Sequence, residues 1–279
     1  MPEDILIHEE IVKCYPFLRW TGSKNWLVKS SLHEYLPKDF KDYHECFLGG
    51  GSVFFATKKN GNSFLYDLNK ELIDTYVEIR DNVDKLIMTL KKLKNSEEEF
   101  YRIRNSKPIK SHTKAARFIY LNKCSFNGIY RVNSKGLYNV PYGHRKNVDV
   151  VVEENLRNIS RELQDVNISC VDFEMSLGKI KKNDLVFLDP PYTVAHENNG
   201  FIMYNQKLFA WQDQVRLRNF IEQVIKKEAY FIMTNASHSS ILDLYKGLGK
   251  TFIKSRYSKV GGRNKTRGMY NELIICNTV

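Results

Sequence analysis

The apolar run Leu185-Val186-Phe187-Leu188 ends in Asp189-Pro190-Pro191-Tyr192. Neither proline can donate to a sheet ladder, and each pushes the residue before it into extended backbone, so these four residues must leave a strand as a stiff elbow. A carboxylate, a fixed carbonyl and an aromatic ring then stand side by side. That set suits an amino nitrogen whose lone pair is delocalised into a ring, such as the exocyclic amine of adenine. This nitrogen attacks a methyl donor poorly unless both N–H bonds are drawn toward acceptors. Asp189 and the Pro190 carbonyl would supply the acceptors, and the Tyr192 ring would stack on the base. Catalysis would rest on positioning and electrostatics, with no covalent intermediate and no metal. A plain strand-ending turn accounts for Asp-Pro alone, but not for the added Pro191 and Tyr192.

A second group fits a nucleotide-like ligand. Glu45-Cys46-Phe47-Leu48-Gly49-Gly50-Gly51 reads as a strand that ends in glycines and opens into a helix. Such a loop lets backbone amides approach a ligand, and an acidic residue about 20 positions on can accept from ribose hydroxyls. Asp67, closing the next apolar run, is that acid. The spacing matches neither the phosphate-cradle pattern nor the full dinucleotide fingerprint. Upstream, Trp20 and Lys24 sit four apart at a loop-to-helix junction. The aromatic face could cover a purine or a sulfonium, and the lysine could hold a carboxylate; an ordinary helix start with a packed tryptophan is the plainer alternative.

The elements that must position these groups alternate. Apolar runs at 43–48, 63–66, 168–173, 184–188, 230–234, 251–256 and 272–276 read as strands. Between them, Leu68, Leu72, Ile73, Tyr76 and Ile79 recur at helical spacing, as do Val215, Leu217, Phe220, Ile221, Val224 and Ile225. This predicts an α/β fold with a parallel sheet covered on both faces. From about residue 70 to 153 the alternation stops. Lys-rich helical segments lead there to a hairpin over 129–140, turned at Gly136, which reads as an inserted lobe. The expected division is therefore 1–69 with 154–279 as the sheet domain and 70–153 as the lobe.

The chain has 279 residues, enough for this arrangement, and carries a net charge of +11 with pI near 9.2. That balance favours a polyanionic partner. Its five cysteines lie far apart, without the spacing of a zinc site, and are expected to be reduced thiols. The acidic start MPEDILIHEE does not read as a signal peptide, and no apolar run approaches a membrane span. A soluble, cytoplasmic protein is the expectation.

Trp20-Thr21-Gly22-Ser23-Lys24, Phe47-Leu48-Gly49-Gly50-Gly51 and Asp189-Pro190-Pro191-Tyr192 together resemble the marks of the DNA adenine methylase (Dam) family, nearly end to end from Phe17 to Asn277. Thr21 and Ser23 depart from the Ala and Gly of many relatives. The resemblance implies a Rossmann-like, doubly wound, mostly parallel methyltransferase fold. It implies S-adenosyl-L-methionine as cofactor, held by Trp20, Lys24, Phe47, Gly49, Gly51, Asp67, Asp172, Phe173 and Asp189, with the Cys170–Phe173 segment at the pocket. Asp189, Pro190, Pro191 and Tyr192 would be catalytic.

The partner implied is duplex DNA, bound by a monomer or by two molecules on one DNA, and the adenine must flip out of the stack at about a few kcal/mol. By the same resemblance Phe126 would wedge between base steps, Asn127 would meet the orphaned base, Ile129 would touch a thymine methyl and Arg131 would grip guanine, within GATC. Arg19 would be a second guanine reader. On residue type alone Phe126 and Ile129 serve equally as hairpin core, and Arg131 as a solvated strand arginine. The basic run 254–268, with Lys254, Arg256, Lys259, Arg263, Lys265 and Arg267, reads as a loop that clamps phosphates. Restriction-modification, repair and phage settings stay open. The alternatives are adenine methylation at another sequence, an RNA or protein-glutamine methylase, and a DNA-binding module without catalysis. Cytosine C5 chemistry is disfavoured because no Pro-Cys dipeptide occurs.

Overall fold

The computed structural model describes residues 14–193, 209–258 and 268–279. Seven strands, β1 Tyr43–Glu45, β2 Ser63–Tyr66, β3 Val166–Ser169, β4 Leu185–Leu188, β5 Tyr230–Ala236, β6 Lys250–Ser258 and β7 Gly268–Cys276, form one sheet in the order β3-β2-β1-β4-β5-β7-β6. β3, β2, β1, β4 and β5 run parallel, while β7 runs antiparallel to both β5 and β6. The helices among the described residues are α1 Asn25–Ser30, α2 Ser52–Ala56, α3 Lys70–Leu90, α4 Glu97–Asn105, α5 Ser111–Cys124, α6 Glu153–Glu162, α7 Trp211–Lys226 and α8 Ser239–Tyr245.

Strand side chains alternate between faces, and here both faces are apolar, so each strand feeds two cores. Leu185 and Phe187 of β4 join Tyr43, Leu65, Ile232 and Ile274 on one side. Val186 and Leu188 join Tyr66, Phe231, Met233 and Ile275 on the other. α7 covers the second face with Leu217, Phe220, Ile221 and Val224. The first face is covered by α3, whose Asn69 cap accepts the Leu72 N–H at 3.1 Å, a contact worth about 1 kcal/mol. α3 keeps helical hydrogen bonding to Leu90 despite non-helical backbone at Asn82, and it packs on α5, α6 and β3. It therefore touches both the sheet and the Lys-rich segment.

Several boundaries differ from the sequence reading. The run expected at 168–173 is a strand only over 166–169, because Asp172 accepts the Glu174 N–H at 3.0 Å and turns Phe173 into a 3-10 segment. Leu68 precedes α3 and is 63% exposed, so it is not on the buried helix face. The basic run at 254–268 is not all loop: β6 extends to Ser258, β7 begins at Gly268, and Lys254 pairs with Glu34 at 3.2 Å. Lys259, Arg263, Lys265 and Arg267 lie outside the described residues. The hairpin closes through a single Val132–Tyr138 bridge, with Gly136 at φ +72° as the turn requires. All five cysteines are free thiols.

Glu45, at the end of β1, is 2% exposed and accepts the Tyr43 hydroxyl at 2.6 Å. Burial is the main cause that pushes its carboxyl up to about 8, with nearby Asp189 adding to the rise. The folded state thus holds this proton more tightly than the unfolded chain. The stability from Glu45 is complete below the ordinary carboxylate range and is lost as pH rises through about 8. Glu45→Gln, which keeps an acceptor for Tyr43, should flatten the fall in Tm between about pH 5 and 9 and stabilise the protein at the alkaline end. Thermal melts of the two proteins across that range are the check; parallel curves would refute the assignment.

Candidate active site

Because β1, β2 and β4 are parallel neighbours, the residues that follow them emerge on one edge of the sheet. The glycine loop, Asp67 and Asp189 are those residues, so the cofactor-like group and the acidic elbow open onto the same side. β7 runs the opposite way, and Glu272 at its middle pairs with Ala236 at the end of β5, which brings Glu272 to this edge too.

At the centre of the edge lies a buried ion pair. Lys24 is 3% exposed, and its Nζ sits 2.7 Å from Asp189 Oδ1. Lys24 Nζ also donates to the Gly22 carbonyl at 2.8 Å, and its backbone N–H donates to Ser52 Oγ at the start of α2. Thr234 on β5 donates a second hydrogen bond to Asp189 Oδ1 at 2.8 Å. Among the described residues none donates to Oδ2. Burial raises the Asp189 carboxyl, while Lys24 and Thr234 oppose the rise. The Tyr192 ring lies 5.1 Å from Lys24 Nζ, and its hydroxyl donates to Glu272 Oε2 at 2.9 Å. The elbow's exit is pinned as well: buried Gln214 on α7 donates to Thr193 and accepts from Asn235 and Tyr245.

The neighbouring pocket is built from the glycine loop. Asp67 accepts the Gly49 N–H through Oδ2 and the Asn69 N–H through Oδ1, both at 2.9 Å. Each oxygen keeps lone-pair capacity for a further donor. Burial raises this carboxyl, and the backbone donors counter it. Tyr76 of α3 donates to the Gly49 carbonyl at 3.1 Å. Gly49 and Gly51 have φ of +48° and +68°. A Cβ at Gly49 would lie 2.7 Å from Trp20 Nε1, so what demands glycine here is the close approach of Trp20. Trp20 in turn stacks on Tyr130 at 5.9 Å. Phe47 packs on Phe173 at 5.5 Å, and Arg216 covers Phe173 while pairing with Asp172 at 2.8 Å. Lys24 is turned to Asp189 rather than outward as a carboxylate anchor.

Comparison with known proteins decides what this edge belongs to. Residues 20–260 match the family model of the D12 class N6 adenine-specific DNA methyltransferases. The chain belongs to this family. It is 32% identical to the type II methyltransferase M1.LlaDCHI of Lactococcus lactis subsp. cremoris over 98% of both chains. It is 33% identical to the type II methyltransferase M.MjaIII of Methanocaldococcus jannaschii, over 94% of this chain and 98% of that protein. The DNA adenine methylase of Escherichia coli K12 is 26% identical over 92% of this chain and 93% of its own.

This methyltransferase uses S-adenosylmethionine as methyl donor, and the chemistry beside the glycine loop suits it: carboxylates at Asp67 and Asp172 for hydroxyl and amine donors, and the half-buried Phe47 ring, backed by the buried Phe173, for a flat base. Of the residues expected to face DNA, Arg19 lies against the Phe126–Gly128 turn. Asn122 accepts the Arg19 N–H at 2.8 Å and donates to the carbonyls of Arg19 and Gly128. Gly128 has φ +65°, and a Cβ there would strike Arg19. Arg19 is thereby fixed beside the Phe126–Gly128 turn, in which Phe126 is 45% exposed and Asn127 holds φ +55°. Arg131 is exposed and hydrogen-bonded to Asn139 at 2.8 Å, whereas Ile129 is half-buried against the core. Thr234, Glu272 and Asn122 were not singled out from sequence. The signal for the first two was a polar residue inside or at the head of an apolar strand.

Gly49→Ala should displace Trp20 and weaken S-adenosylmethionine binding at least about tenfold, which corresponds to roughly 1.4 kcal/mol. Equilibrium dialysis with labelled cofactor measures this; unchanged affinity would remove the Trp20–glycine contact from the pocket's design.

Proposed function

We propose that the enzyme methylates N6 of an adenine flipped out of duplex DNA, within GATC, and that residues 70–153 form the lobe that reads the sequence. The observation that carries this reading is the division of labour on Asp189. One oxygen is held by Lys24 and Thr234, which leaves Oδ2 for the incoming amine.

S-adenosylmethionine supplies a methyl group activated by its positive sulfur. The chain's own groups prepare the nucleophile. Asp189 Oδ2 draws one N–H of the adenine amine, and the Pro190 carbonyl, fixed by the two prolines, draws the other. The nitrogen lone pair is thereby released from the ring. Tyr192, tethered to Glu272, stacks on the base and sets its plane. The amine loses one proton as it gains the methyl, and Asp189 is the acceptor in hydrogen-bond reach. Lys24 keeps that carboxylate ionised before the reaction.

The exposed Phe126 and Arg131 and the clamped Arg19 support the reading of the lobe as the DNA-contacting part. Phe126 fills the space that the flipped base leaves, Asn127 meets its partner, and Arg131 and Arg19 read guanines. Ile129, partly buried, offers a smaller contact to a thymine methyl. The strand arms at 250–258 and 268–276, with the basic residues between them, would add phosphate contacts without sequence information. A monomer, acting singly or as two copies on one DNA in the cytoplasm, suffices for this chemistry. The type II names of two relatives favour a restriction-modification setting.

The test is transfer of labelled methyl from S-adenosylmethionine to duplexes that carry or lack GATC. Wild type should label only GATC duplexes, and Asp189→Ala should lose at least about a thousandfold in rate. Arg131→Ala should lower discrimination by about 1–3 kcal/mol at one base pair. Label transfer that survives Asp189→Ala would overturn the mechanism, and labelling indifferent to GATC would overturn the target sequence.

A further inference from the structure

The network around Asp189 contains a second carboxylate, fully buried, whose part in the reaction scheme so far goes no further than the Tyr192 hydroxyl. Glu272 is 1% exposed, and its Oε2 receives the Tyr192 hydroxyl at 2.9 Å and lies 3.9 Å from Lys24 Nζ. Lys24 thus faces two carboxylates, Asp189 at 2.7 Å and Glu272 at 3.9 Å. A carboxylate in so dry a position is costly unless it has work to do or partners to hold. The partners of Glu272 named here belong to the proposed reaction: the ring that stacks on the base, and the cation that sets the charge on the acceptor.

We propose that Glu272 is a positioning residue for methyl transfer, fixing the Tyr192 ring through its hydroxyl and sharing Lys24 with Asp189 so that Asp189 stays a strong acceptor. The inference rests on the reading of Asp189 as the acceptor of the adenine amine. If Lys24 bonded to Asp189 alone, the ammonium would drain charge from that carboxylate and weaken its pull on the amine. A negative Glu272 offsets this. The same charge raises the Asp189 carboxyl, acting alongside burial and against Lys24 and Thr234. Among the described residues, the charged or titratable groups that face Asp189 are Lys24 from the segment before α1, Glu45 from β1, Tyr192 from its own loop and Glu272 from β7. β5 offers the uncharged Thr234.

Removing the Glu272 charge therefore has a signed consequence. In Glu272→Gln the Tyr192 hydroxyl keeps an acceptor, but Lys24 turns wholly to Asp189. The Asp189 pKa falls, so the acid limb of the single-turnover rate profile moves to lower pH, and the plateau rate falls about tenfold. Affinities for S-adenosylmethionine and for DNA should stay within about threefold, because neither contact surface changes. A role confined to folding would lower Tm without moving the acid limb. Should Glu272→Gln fail to fold, Tyr192→Phe carries the test. It keeps the ring and removes the tether, and 2-aminopurine at the target position should then show a weaker stacking signal than in wild type.

Asp189→Ala run in parallel separates the two levels of the argument. If Asp189→Ala retains transfer, the reading of the site fails. If Asp189→Ala is dead while Glu272→Gln keeps the wild-type plateau and acid limb, or Tyr192→Phe keeps the wild-type stacking signal, the inference about Glu272 fails alone.

Discussion

The site depends on a carboxylate that must stay charged where water is scarce. Burial pushes Asp189 toward its neutral form, and a neutral acid would be a weak acceptor for an amine proton. Lys24 at 2.7 Å and the Thr234 hydroxyl oppose that tendency. Such a buried pair is a poor source of stability, because the loss of hydration, several kcal/mol per ion, consumes most of the attraction. In the proposed reaction its value lies in the chemistry: one oxygen of Asp189 is held by Lys24 and Thr234, and the other is left for the amine. Glu272 adds a second carboxylate to the cluster.

The fold serves this arrangement through strand direction. Five parallel strands deliver their carboxyl ends to one edge, so the glycine loop after β1, Asp67 after β2 and Asp189 after β4 meet without long loops. The antiparallel β7 is what allows Glu272, at its middle, to lie beside the end of β5 and reach the same edge. Lys24 comes from outside the sheet and is fixed by Ser52, so the start of α2 holds both the glycine loop and the lysine. Trp20 links this region to the inserted segment by stacking on Tyr130 while covering Gly49 and Gly50. A physical connection therefore runs from the hairpin to the glycine loop.

Much of this was legible in the sequence. The strand runs at 63–66, 184–188 and 272–276 announced themselves by largely apolar residues, since both faces of the sheet are buried, whereas the run expected at 43–48 is a strand only over Tyr43–Glu45, where His44 and Glu45 are buried polar residues. Asp189-Pro190-Pro191-Tyr192 and Gly49-Gly50-Gly51 were legible because proline and glycine restrict or free the backbone in ways that few structural needs require. The ion pair was not legible: Lys24 and Asp189 are far apart in the chain, and pairing across a fold leaves no local pattern. The Lys24 side chain was read as an anchor for a ligand carboxylate, and it proves to be engaged by a protein one. Thr234 and Glu272 escaped for the same reason, since their role comes from the antiparallel turn of β7 and from their place beside β4. The end of β3 was misjudged because side-chain capping by Asp172 competes with extension, and hydropathy does not register capping.

The most direct test of this account is the pH dependence of single-turnover methyl transfer in wild type and in Lys24→Gln. With the ammonium gone, burial acts on Asp189 unopposed, so the acid limb of the profile should move at least about one unit to higher pH, with a lower plateau. An acid limb that stays at the wild-type position would mean that Lys24 does not govern the charge on Asp189, and the central claim would be wrong.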